Sequence, residues 1–147
     1  MKPIQLRLLL LTIGLAVCSC RVSIKPGYFE DDQKTAERAV DQLHDRLSAE
    51  RYEEIYAQTA EELRRTASKA DLISAMKRTH DQFGVFKSTK QTNAQVIMGA
   101  PRQVKLVYNT QYEKLEATEE FIWLVNFDDV KLALYKVTPN ADKSVSK

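Results

Sequence analysis

Few residues in this chain combine a reactive side chain with a regular position. His80 falls on the apolar stripe of Leu72, Ile73, Met76 and Phe83. Inside a cavity its imidazole would titrate where a general base is useful. The simpler reading is a partly buried ring bonded to a backbone carbonyl or to Tyr52 or Tyr56. Glu119 shares strand parity with Phe121, Trp123 and Val125. A carboxylate on that apolar face would have its pKa raised by burial, as proton abstraction requires. The simpler alternative places Glu119 at the start of its strand, near an open end and in water. His44, between Leu43 and Asp45, reads as a solvated surface residue.

Other chemistries lack their residues. His44 and His80 lie 36 positions apart, which matches no metal-ligand spacing, so no metal and no cofactor is expected. The acidic pairs Glu53-Glu54, Glu61-Glu62 and Asp128-Asp129 read as solvated faces and a turn. No phosphate loop, nucleophile elbow or Ca²⁺ loop occurs.

The two cysteines carry a different message. Lys2 and Arg7 precede an apolar run of ten residues, 8–17, which ends at Cys18-Ser19-Cys20. That is the plan of a signal peptide, and the run is too short to span a bilayer as a helix. Val17-Cys18-Ser19-Cys20 resembles a bacterial lipobox. Cleavage before Cys18 would put β-branched Val17 at a junction suited to Gly, Ala or Ser, so the lipid attachment is placed on Cys20. The resemblance implies a diacylglycerol thioether and acylation of the new amine, as with palmitate. Two or three chains anchor a protein durably, whereas one chain binds only marginally. The competing reading is ordinary signal-peptide cleavage. With Cys20 lipidated and Cys18 removed, the mature chain has no thiol for disulfides, catalysis or metal. Arg21 follows the lipidated position in place of the Asp associated with inner-membrane retention, so a periplasm-facing protein of the outer membrane is favoured for a Gram-negative source.

The 147 residues are 44% hydrophobic and 29% charged, the balance of one globular domain. Lys2 and Arg7 leave with residues 1–19, after which basic and acidic residues balance, which disfavours nucleic acid as a partner. Residues 20–34 read as the lipidated N-terminus and tether, 35–138 as the domain and 139–147 as a polar tail.

Ala36, Ala39, Val40, Leu43 and Leu47 recur at helical spacing and predict a first helix. Tyr52, Ile55, Tyr56 and Leu63 predict a second, shorter one. Ser68 with Asp71 forms a capping box ahead of a third, which Gly84 stops. From Val85 the period changes to two, and strands are expected over 85–98, 103–114, 117–126 and 130–137. On the second, Val104, Leu106, Tyr108, Thr110 and Tyr112 share one face. The fold class is therefore α+β, with three N-terminal helices packed on an antiparallel sheet of about four strands.

This order resembles the nuclear transport factor 2-like, cystatin-like cone with its curved sheet. Arg51-Tyr52, Tyr56, Thr59, Leu63-Arg64, Ser68, the segment 83–88, Thr118-Glu119-Glu120-Phe121 and Lys131-Leu132-Ala133 resemble a family of uncharacterised secreted bacterial proteins on that scaffold. The chain departs from them in its last hairpin, where Asn126-Phe127-Asp128-Asp129 replaces a glycine-rich turn and Trp123 lies in the strand before it. The resemblance implies a cavity between helices and sheet, with Tyr52, Tyr56, His80, Glu119 and Trp123 as its candidate lining.

Strand three is apolar on both faces, with Ile122 and Leu124 opposite Phe121, Trp123 and Val125. A sheet with one wet face has no need of this, so Ile122 and Leu124 are candidate interface residues, for a homodimer or an envelope protein partner. The expected function is that of a membrane-anchored envelope lipoprotein acting as a non-catalytic binding or assembly module. The alternatives are a small-ligand carrier or enzyme using the cavity, and an inhibitor or immunity protein.

Overall fold

The structure, a computed structural model, describes residues 28–127 and 129–140. The signal segment, Cys20 and the tether as far as residue 27 lie outside the described residues. Among the described residues, four helices precede four strands: α1 (Tyr28–Ser48), α2 (Tyr52–Ala57), α3 (Glu61–Thr66), α4 (Lys69–Phe83), β1 (Phe86–Ile97), β2 (Arg102–Tyr112), β3 (Glu116–Asn126) and β4 (Asp129–Pro139). The strands form one open antiparallel sheet in the order β1-β2-β3-β4. The fold is α+β.

Helix α1 buries Ala36, Ala39, Val40, Leu43 and Leu47 and touches all four strands. It begins at Tyr28, within the stretch read as tether. Glu30 and Asp31 occupy its first turn, where the helix dipole favours negative charge. Asp32 is buried in an ion pair with Arg102 at the start of β2.

The second helix expected from the sequence is two helices, because the chain between them is drawn into the sheet. Leu132 N–H donates to the Gln58 carbonyl at 2.9 Å, and Ala60 N–H donates to the Leu132 carbonyl at 2.8 Å. Thr59 thereby pairs with the outer edge of β4. Arg64 donates to the Tyr56 and Ala57 carbonyls, each at 3.0 Å, and caps the end of α2. Helix α4 starts and stops as expected. Asp71 N–H donates to Ser68 Oγ at 3.2 Å, and Gly84 adopts φ 79°.

On β2, Val104, Leu106, Tyr108, Thr110 and Tyr112 are all buried, as their parity predicts. The edge strands are less regular. Ser88 and Asn93 each follow a register shift that leaves Lys87 and Thr92 as extra residues in β1. In β4, Trp123 pairs with Leu132 while Ile122 pairs with Leu134, so Ala133 is an extra residue. This bulge turns both Leu132 and Tyr135 toward the helices, where unbroken alternation would separate them.

Candidate functional site

The side chains of His44, Thr110, Tyr112 and Tyr135 converge on Glu119. Its side chain is 0% exposed, at the end of the sheet toward which α1 runs from Asp32 to His44. Both expectations for this residue are corrected: it is neither solvated at an open end nor raised in pKa. Oε2 accepts from His44 Nε2 at 2.8 Å and from Thr110 Oγ1 at 2.5 Å. Oε1 accepts from Tyr112 OH at 2.6 Å and Tyr135 OH at 2.9 Å. One helix and three strands thus supply the carboxylate and its donors. The first strand contributes Thr89, whose hydroxyl lies 2.8 Å from that of Thr110. With the Thr110 proton directed to Glu119, Thr89 is the donor.

Burial alone pushes the Glu119 pKa up. The hydrogen bond and charge of His44, with the Thr110 and Tyr112 hydroxyls, outweigh it and hold the carboxyl below its ordinary range. Tyr112 and Tyr135 are pushed up, first by burial and then by the Glu119 charge, and stay protonated as donors. The arrangement is a poor proton acceptor, because four donors already occupy the two oxygens. What it does chemically is tie four elements together around one anion.

His44 is 1% exposed, which corrects its reading as a surface residue. Its ring stacks on Phe86 at 4.2 Å and meets Phe121 edge-on at 6.0 Å. His44 Nδ1 is buried without a hydrogen-bond partner among the described residues. The ring lines a recess of about 10 Å³ together with Ser48, Thr79, His80 and Gly84, room for about one water.

Of the residues expected to line a cavity, Glu119 bonds His44 directly and His80 lines the small recess beside that ring. His80 is half-buried, and no hydrogen bond joins its ring to Tyr52 or Tyr56 among the described residues. Tyr52 and Trp123 belong to the apolar core. Tyr56 is half-buried on the helical side, with the Arg64 guanidinium 4.9 Å and the Lys69 ammonium 5.4 Å from its ring centroid. Ile122 and Leu124 are half-buried.

The residues missed were His44, Thr110, Tyr112 and Tyr135. His44 lies four after Val40 and three before Leu47, so the stripe itself included it. Thr110 and Tyr112 already stood on the buried face by parity. Tyr135 was hidden by the Ala133 bulge, which no local pattern announces.

A second hollow, open and of about 480 Å³, lies at the other end of the sheet between the start of α3 and the β1–β2 and β3–β4 turns. Pro101, Leu124 and Lys131 are among its lining residues.

No family model and no curated protein matches this chain. Among solved structures, Bd1075 of Bdellovibrio bacteriovorus aligns with a TM-score of 0.50 and 12% identity, over 75% of this chain and 41% of its own. This chain therefore spans less than half the length of that protein, and the likeness is one of fold.

Proposed function

We propose that this is a lipid-anchored envelope protein whose domain, a nuclear transport factor 2-like, cystatin-like cone with its helices N-terminal to the sheet, acts as a non-catalytic binding or assembly module. The observation that carries the reading is the filled interior. Phe121 and Trp123 lie near-parallel with centroids 6.3 Å apart, Tyr135 stacks on the other side of Phe121 at 5.1 Å, and Tyr108 meets it edge-on at 5.8 Å. Beyond them four donors occupy the Glu119 carboxylate, and the recess beside it, onto which His44 opens, admits about one water rather than a metabolite. A carrier or enzyme of the cone type needs that space open. The surface is where recognition can occur, and the outer face of β3 carries the half-buried apolar side chains Ile122 and Leu124. Val17-Cys18-Ser19-Cys20 supplies the address, with Cys20 bearing the lipid.

The test is crosslinking in cells followed by mass spectrometry, comparing the native chain with Cys20→Ser. The expected outcome is a specific crosslink, to an envelope protein or to a second copy of the chain, that forms in the native protein and is absent from both Cys20→Ser and Ile122→Glu. Identical crosslinks from the native and Cys20→Ser chains would sink the anchored module.

A further inference from the structure

Among the described residues five large apolar side chains are exposed, and four of them lie at one end of the domain. Met98 is 59% exposed in the β1–β2 turn, and Phe127 is 75% exposed in the β3–β4 turn. In a meander these two turns fall on the same side, and both border the open hollow, through Ala100 and Pro101 from one and Asn126 and Asp129 from the other. Ile97 ends β1 beside Met98, and Phe29 opens α1. The Asp32–Arg102 pair fixes the start of α1 at the start of β2, hence at this same end. The fifth residue, Val85, lies at the opposite end, between α4 and β1.

Folding does not account for Phe127. It adopts φ 56°, a conformation that favours Gly, Asn or Asp in a turn and penalises a bulky side chain. Its ring gains no compensating burial. A residue unfavourable for the turn and unfavourable in water is a candidate for contact with a partner outside the domain. The chain indicates which one. In the chain cut before Cys20, the lipidated residue joins the domain through Tyr28, at this end, and the eight Cα–Cα steps from Cys20 to Tyr28 reach at most about 28 Å.

We infer that the end of the domain carrying the 98–101 turn and Phe127 rests in the headgroup region of the bilayer, with Met98 and Phe127 inserted at the acyl boundary. This rests on the lipid-anchored reading above and deepens it: the lipid chains bring the domain to the surface, and the two turns orient it there. Glu61, Glu62 and Asp129 stand around the hollow beside Lys131, so the contact relies on apolar side chains rather than on attraction to anionic lipid.

The test places the photo-crosslinker p-benzoylphenylalanine at position 98, 127 or 85 of the full chain, expressed in cells and also reconstituted in vesicles with and without anionic lipid. Intact mass reports the lipid on Cys20 in the same samples. The expected result is phospholipid adducts from 98 and 127, at least fivefold above those from 85 and within twofold between the vesicle types. A lipidated chain that gives no lipid adducts, equal adducts at 85, or adducts only to a protein overturns the orientation while leaving the anchor intact. A chain whose mass carries no lipid overturns the anchored reading and this inference with it.

Discussion

A carboxylate with four donors is more costly to disturb than to have built. Removing Glu119 leaves buried donors without their acceptor, and removing His44 leaves a buried carboxylate short of a donor; a group left unsatisfied beside a charged partner costs about 3 kcal/mol. Glu119→Ala and His44→Ala are each expected to lose that much by urea denaturation. Tyr135→Phe, which removes one hydroxyl from a charged acceptor, is expected to lose about 1.5–3 kcal/mol. If Glu119→Ala falls within 1 kcal/mol of the native chain, the cluster is not what holds helix and sheet together. By contrast, Tyr56→Phe keeps its contacts with the Arg64 and Lys69 side chains and is expected to be nearly neutral.

At the level of elements, two local features have measurable roles. Gly84 ends α4 at positive φ, and a Cβ there would stand 2.9 Å from the Glu113 Cβ. Gly84→Ala is therefore expected to cost about 1–3 kcal/mol, read from the denaturation midpoint. Ala60 has φ −69°, already in the range of proline. Ala60→Pro removes the N–H that bonds Leu132 at a φ that proline accepts, but its ring enters a site only 3% exposed, so its expected effects are a loss of at least about 1 kcal/mol and faster hydrogen exchange over residues 61–66. Unchanged exchange there would mean the strand contact does not hold α3. These same elements show what local sequence could reveal. The α1 stripe, the Ser68 cap, the Gly84 stop and the β2 alternation were legible because period and capping are local physics. The break at Thr59 was not, because its cause is a strand more than seventy residues later. The Glu119 cluster was half legible: the parity of Thr110, Tyr112 and Glu119 was plain, but its use depended on a stripe histidine read as solvated and on the bulge that turns Tyr135 inward.

For the molecule as a whole, the cluster sets the pH range of stability. Glu119 is held below its ordinary value near 4.5 in the folded state, so its contribution is fully present above that pH and is lost as pH falls through the lower folded value. Tyr112 and Tyr135 are raised above 10.0, so their contribution is present below pH 10 and is lost as pH rises beyond it. A stability plateau between these limits is expected, with the acid limb flattened in Glu119→Gln; an unaltered acid limb would assign acid unfolding to other groups. The same cluster also imposes an order of events. His44 and Glu119 are separated by 75 residues, and Tyr135 belongs to the last strand. A chain that emerges N-terminus first from a ribosome or secretion channel presents residue 20 to any modifying enzyme long before the final donor is synthesised or released. Until then Glu119 is a carboxylate short of a proton donor, and helix and sheet are not fully tied together. In the proposed lipoprotein, attachment at Cys20 therefore precedes completion of the cluster, and a chain truncated before Tyr135 is expected to carry the lipid on an unfinished domain.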